Sequence, residues 1–237
     1  MSNSKFITLI IIFGGIAFGM YWYFFGSASA VPTSPSAATG NQITKTNTPP
    51  CQIITLGDSI TAGYELATEK AYPAQLEALL QTNGYPCNVI NAGVSGDTSK
   101  GLLERMEFTL SDTPYQLAIL TIGGNDGLRN LPIEDMNTNI REIIAKLQAK
   151  NIPVLLSGMQ IPNNAGAYAT EFKNVYPAIA KELDIPLYPF FLEGVAMDTS
   201  LNLPDGIHPN AEGYAVIAEN IYTFMGKSKL LEFLPKN

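Results

Sequence analysis

Gln116-Leu117-Ala118-Ile119-Leu120-Thr121-Ile122 is apolar at odd and even positions alike, and Gly123-Gly124-Asn125-Asp126 follows at once. A strand with one wet face alternates; an unbroken apolar run of this length marks a strand covered on both faces. A sheet flanked by two layers of helices supplies that cover. The sequence on either side has the matching rhythm. Upstream, Gln52–Leu56 reads as a strand, Tyr72–Thr82 as a helix with Leu76, Leu79 and Leu80 on one face, Asn88–Asn91 as a strand and Ser99–Leu110 as a helix. Downstream, Ile133–Ala149 carries Ile140, Ile143, Ile144 and Leu147 at helical spacing. A strand at Pro153–Ser157, a helix at Tyr168–Leu183 and a short strand at Pro186–Tyr188 come next. Pro209 then opens a final helix over Asn210–Phe224, a favourable place for a proline. The class predicted is α/β, a three-layer sandwich around a mostly parallel sheet of about five strands. Such sheets bind ligands at the carboxyl ends of their strands. Ser59, Gly96-Asp97 and Asn125-Asp126 each follow a predicted strand, so all three belong to that edge.

The chain of 237 residues has a net charge of −7 and no basic stripe, which argues against a nucleic-acid partner. Phe6–Phe25 is continuously apolar, follows Lys5 and is long enough to span a bilayer as a helix. Two readings of it stand. Its length and the aromatic run Tyr21–Phe25 favour an uncleaved inner-membrane anchor, whereas Ala28-Ser29-Ala30 fits a signal peptide released after Ala30. Both place the domain outside the cytoplasm, as in a periplasm. Val31–Pro50, rich in Pro, Ser, Thr and Ala, reads as a flexible linker. The division expected is 1–30 leader or anchor, 31–50 linker, 51–226 folded domain and 227–237 tail.

Cys51 and Cys87 each precede a short apolar run. If those runs are neighbouring parallel strands, both sulfurs lie at one end of the sheet, and export favours their oxidation to a disulfide. The alternative is two ordinary buried thiols. No metal site is expected, because there is no Cys-x-x-Cys and only one histidine.

That histidine, His208, sits in Asp205-Gly206-Ile207-His208-Pro209-Asn210. A carboxylate three residues earlier in a turn can hold one imidazole nitrogen and leave the other to take a proton. Ser59, at a strand-to-helix junction, has free backbone N–H groups and a positive dipole end beside it. Taken singly, each feature has a plainer reading: Asp58 or Ser59 as a helix cap, the Gly96 loop as a turn, Asn125 as a left-handed turn residue. The Gly-x-Ser-x-Gly elbow is absent, since Thr61 stands at the last glycine position.

In order along the chain, however, Gly-Asp-Ser-Ile at 57–60, Ser-Gly-Asp-Thr at 95–98, Gly-Gly-Asn-Asp at 123–126 and Asp-Gly-Ile-His-Pro-Asn at 205–210 resemble the four blocks of the SGNH, or GDSL-like, hydrolase family. The resemblance runs from about Cys51 to Phe224, and Ile60 stands where the family name has leucine. Gly123–Arg129 and Met159-Gln160-Ile161-Pro162 look like its bacterial periplasmic arylesterase, acyl-CoA thioesterase and lysophospholipase branch. The resemblance implies a flavodoxin-like α/β/α fold, hydrolysis of an ester or thioester through an acyl-serine, and no cofactor. It implies Ser59 as nucleophile, His208 as general base and then acid, and Asp205 as its orienter. The oxyanion hole would be the Ser59 and Gly96 N–H groups with the Asn125 side chain. Leu128, Leu131 and Ile161, in loops after the third and fourth strands, are candidate acyl contacts. Export disfavours cytosolic acyl-CoA and favours lysophospholipids or other exported small esters as substrates. Two rivals remain: a carbohydrate O-acetylesterase or acyltransferase with the same four blocks, and a non-catalytic doubly wound binding module. Against the module, there is no Gly-x-Gly-x-x-Gly, and Gly226-Lys227-Ser228 lacks the upstream glycine of a phosphate loop.

Overall fold

The structure, a computed structural model, describes residues 51–110, 113–162 and 166–237. The apolar stretch 6–25 and the linker 31–50 lie outside these residues. No helix among the described residues is long and apolar enough to cross a membrane.

Strands β1 (Cys51–Gly57), β2 (Cys87–Gly93), β3 (Leu117–Thr121), β4 (Val154–Ser157) and β5 (Leu187–Tyr188) form one parallel sheet in the order β2-β1-β3-β4-β5. Every residue of β3 is buried, as its unbroken apolar run requires. β2 lies at the edge and alternates at its start, with Cys87 and Val89 buried and Asn88 and Ile90 exposed. It also runs on to Gly93, past the expected end at Asn91, because pairing with β1 continues to Gly57.

The helices are α1 (Ser59–Ala62), α2 (Tyr72–Thr82), α3 (Ser99–Leu110), α4 (Gly124–Leu128), α5 (Ile133–Ala149), α6 (Ala167–Leu183) and α7 (Ala211–Lys227). α2 packs with α7, while α5 packs with both α3 and α6. That grouping follows from right-handed crossovers: the chain steps from β1 to β2 in one direction, then reverses to place β3, β4 and β5 on the other side. The reversal opens a crevice at the carboxyl ends of β1 and β3, where open α/β sheets bind ligands.

Two short helices mark that crevice, α1 after β1 and α4 after β3. α1 sits close over the strand ends because Gly57 and Gly93 carry no side chains. A Cβ on Gly93 would stand 2.3 Å from the Ala62 nitrogen, and one on Gly57 would stand 2.2 Å from Thr61 Oγ1. At the opposite end of the sheet, Cys51 and Cys87 are register partners with Cα atoms 4.4 Å apart, joined by a disulfide. Asn210 caps α7 from outside, its Oδ1 accepting from the Gly213 N–H at 3.0 Å.

Residues 227–237 are part of the domain. Leu230 and Leu234 are buried around a 3₁₀ turn at Leu230–Phe233, and the Asn237 N–H donates to the Gly84 carbonyl at 2.9 Å. A boundary at 226 cuts through this packing; the apolar residues of the segment are too few and too close together to show a helical period.

Candidate active site

The Asp58 side chain starts α1, with Oδ1 accepting from the Ile60 N–H at 3.0 Å. Gly63, at φ +82°, ends it one turn later, its N–H bonded to the Ser59 carbonyl. Ser59 is thereby held on a single capped turn directly beyond β1. Its Oγ lies 2.8 Å from His208 Nε2, across 149 residues of chain.

His208 is delivered by the segment before α7. Asn202 and Pro209 form an antiparallel bridge, the Leu203 N–H donates to the His208 carbonyl at 2.7 Å, and Asn202 Nδ2 donates to the Val195 and Asp198 carbonyls. Within this turn Asp205 Oδ1 accepts from the Ile207 and His208 N–H groups at 2.8 and 3.0 Å. Its Oδ2 lies 2.7 Å from His208 Nδ1. Partial burial pushes the Asp205 carboxyl up, but the bonds from His208 and Ile207 outweigh it and hold the pKa at about 2. An anion at Asp205 keeps the proton on Nδ1, so the lone pair of Nε2 faces the serine hydroxyl.

The glycine loop after β2 and helix α4 after β3 hold Gly96 and Asn125. Val94 donates its N–H to the Gly57 carbonyl at 3.0 Å, tying the glycine loop to the end of β1, just before Ser59. Gly96 follows at φ +87°, a conformation that suits glycine. Asn125, on the first turn of α4, donates one Nδ2 hydrogen to the Asp97 carbonyl at 2.9 Å, leaving the second hydrogen for a ligand. The last residue of that block has a different task. Asp126 is buried and receives the Ser99 N–H at 2.8 Å and the Ser99 hydroxyl at 2.6 Å, fixing the start of α3.

Two residues of the site region carry no mark in the sequence, and a third, Arg129, stands there only as the last residue of the Gly123–Arg129 stretch with no role attached. Arg105 on α3 pairs with Asp97 at 2.7 Å and donates to the Gly57 and Ala92 carbonyls, joining the ends of β1 and β2 to the glycine loop. Tyr64 lies over the His208 ring with centroids 4.4 Å apart. Arg129 reaches the Gly96 carbonyl. Each of these contacts joins residues distant in the chain, so no local spacing announces it. A polar Arg105 one position before buried Met106 on α3 is the nearest thing to a signal.

The three candidate acyl contacts divide. Leu128, at the end of α4, and Leu131, three residues further on, are exposed. Ile161 is buried instead: Gly127 has no side chain, and a Cβ there would come within 2.6 Å of Ile161 Cγ2. Ile161 therefore packs beneath α4 and shapes the loop from below. Among the described residues no group of three His, Cys, Asp or Glu is placed to hold a metal ion.

Asp58 is the electrostatic oddity. The residue is 3% exposed. Burial pushes its pKa up to about 6, and the Ile60 N–H and the facing imidazole pull it only partly back. A folded-state pKa above the unfolded 3.8 means that this group favours the fold when protonated, an advantage lost as pH rises from about 4 to about 6. Asp58→Asn keeps an oxygen for the Ile60 cap and removes the buried charge. Thermal melts should show the variant gaining on the parent protein across that window by roughly 3 kcal/mol, from a shift of about two units. A constant difference between pH 4 and pH 8 would mean that the folded carboxyl titrates normally.

Comparison with known proteins gives concordant similarities. The model of the GDSL-like lipase/acylhydrolase family matches residues 55–216. Esterase TesA of Pseudomonas aeruginosa is 37% identical over 171 residues, 72% of this chain and 85% of that protein. Thioesterase 1/protease 1/lysophospholipase L1 of Escherichia coli is 37% identical over 168 residues, 70% of this chain and 79% of that one. A crystal structure of TesA superposes with a TM-score of 0.71 at 36% identity, covering 74% of this chain and 98% of that chain.

Proposed function

This chain belongs to the GDSL-like lipase/acylhydrolase family and is a serine esterase, and from that premise we propose which residues act and on what. Ser59 is the nucleophile. As its Oγ bonds to the acyl carbon, its proton passes to His208 Nε2, and the imidazolium is stabilised by the Asp205 carboxylate. The carbonyl oxygen, now an anion, accepts from the Ser59 and Gly96 N–H groups and from Asn125 Nδ2. His208 returns the proton to the departing alcohol or thiol as the bond to it breaks, leaving an acyl-serine. Water then attacks with His208 again as base, and acid and free serine are released. The observation that carries this reading is the unbroken line Ser59 Oγ–His208 Nε2 at 2.8 Å and His208 Nδ1–Asp205 Oδ2 at 2.7 Å.

The substrates are exported carboxylic esters and thioesters with an acyl chain longer than acetyl, lysophospholipids among them. Supporting this are the name thioesterase and lysophospholipase L1 on a relative, the exposed Leu128 and Leu131 at and after the end of α4, the helix that carries Asn125, and the apolar segment at 6–25, whose length and flanks suit an anchor or a leader that directs the domain out of the cytoplasm. A series of p-nitrophenyl esters from acetate to palmitate tests the chain length. Activity should hold or rise beyond acetate, because each added methylene can bury apolar surface at the crevice. A collapse beyond acetate would instead identify a carbohydrate O-acetylesterase or acyltransferase.

A further inference from the structure

We propose that Arg129 is a positioning residue for the oxyanion hole, holding Gly96 by its carbonyl and the Asn125 amide by its oxygen so that the Gly96 and Asn125 N–H groups converge. The proposal rests on the reading of Ser59 as nucleophile with Gly96 and Asn125 as donors. Arg129 follows α4 directly, one turn beyond Asn125, and its own N–H donates to the Asn125 carbonyl at 3.1 Å. From there its Nη2 donates to the Gly96 carbonyl at 3.0 Å and reaches Asn125 Oδ1 at 3.5 Å.

Each contact acts on a donor of the hole. Asn125 Nδ2 already donates to the Asp97 carbonyl at 2.9 Å. The amide is therefore gripped at both ends, oxygen to the guanidinium and nitrogen to the loop. Flipping it would set its oxygen against the Asp97 carbonyl and its NH₂ against a cation. Gly96 has no packing of its own to hold it: a Cβ there would meet only Arg129 Nη2, at 3.8 Å. A hydrogen bond from Arg129 to its carbonyl supplies the restraint that a side chain would otherwise give.

The charge of Arg129 is also left available. The chain carries a net −7, yet none of the ion pairs among the described residues includes Arg129. Both of its side-chain acceptors are neutral carbonyl oxygens belonging to the hole. A cation on the Asn125 amide oxygen polarises the N–H at its other end, and at both contacts the guanidinium adds positive potential behind the point where negative charge develops. Arg129 touches neither Ser59 nor His208 in any described hydrogen bond; it acts through Gly96 and Asn125.

Arg129→Met keeps the aliphatic stem and removes the guanidinium, while Arg129→Lys keeps the charge and loses the fork. With the best substrate of the ester series, Arg129→Met should lose about tenfold or more in kcat, the size that a charge-assisted hydrogen bond supports. KM should change less than about twofold, because the oxyanion exists only in the transition state. Arg129→Lys should fall between the two, and the melting temperature should be unchanged in both. In a double variant with Asn125→Ala the loss should be smaller than the product of the single losses, since the two residues act as one unit. An unchanged kcat in Arg129→Met, a loss confined to KM, or fully multiplicative losses would each overturn the proposal. An inactive parent protein, or a fully active Ser59→Ala, would overturn the serine-esterase reading beneath it.

Discussion

Ser59→Ala and His208→Ala should each lower kcat on ester substrates by about 10⁶-fold, with the double variant no slower than either single one. Removing the hydroxyl leaves no atom to form the acyl-enzyme. Removing the imidazole leaves a hydroxyl that cannot shed its proton at neutral pH. Either change disables the same step, so the second removal has nothing left to take away. What survives is attack by water on a substrate that is still bound and still faces the oxyanion donors, worth roughly 10³-fold over the uncatalysed rate. The folded protein should be little affected, because Ser59 and His208 are only partly buried and Asp58, not Ser59, caps α1. A fluorophosphonate probe separates the two variants: neither should label at position 59, Ser59→Ala for want of an acceptor and His208→Ala for want of a base. Undiminished labelling of His208→Ala at Ser59 would show that another group activates the serine. Asp58, the nearby buried carboxyl, would then be the first to replace.

How much of this site the sequence discloses depends on whether a residue's partner lies close by in the chain. Asp205 and His208 share one turn, so their pairing can be read from a three-residue spacing. Ser59, Gly96 and Asn125 are far apart in sequence, yet each directly follows a strand, and the carboxyl-edge rule gathers them without any knowledge of contacts. The inner position of β3 is legible too, because an unbroken apolar run asks for cover on both faces; the edge position of β2 is not, since exposed Ile90 is as apolar as buried Val89. Arg105 and Arg129 escape this logic. Their acceptors are main-chain carbonyls at Gly57, Ala92 and Gly96, and a carbonyl looks the same in every residue. Ile161 escapes it too, since its burial depends on an absent side chain at Gly127. The C-terminal segment reads as a tail because Leu230, Leu231 and Leu234 make no period, although they pack on the domain in and just after a 3₁₀ turn.

Asn125→Ala should lower kcat by about 10²–10³-fold and leave KM nearly unchanged, the signature of a donor used only in the transition state. In the ground state the acyl carbonyl is a weak acceptor; in the tetrahedral intermediate its oxygen carries nearly a full charge, and a donor already fixed in place gains most there. Asn125 is fixed in that sense. It lies on the first turn of α4, half-buried, with one N–H spent on the Asp97 carbonyl and one free. The substitution also releases the Asp97 carbonyl, so slackening of the Gly96 loop must be told apart from loss of the donor itself. Arg105 bears on this point, because its pairing with Asp97 at 2.7 Å holds the loop independently of Asn125. Asn125→Asp completes the comparison. It preserves the shape but, once ionised, presents an acceptor and a negative charge to the developing oxyanion, so it should be slower than the alanine variant. If a free loop were the only consequence, the aspartate, which fills the same space, would be the milder change. Steady-state kinetics of the two variants side by side therefore decides between a donor and a brace: aspartate below alanine assigns the amide to the oxyanion, and aspartate above alanine removes it from the hole.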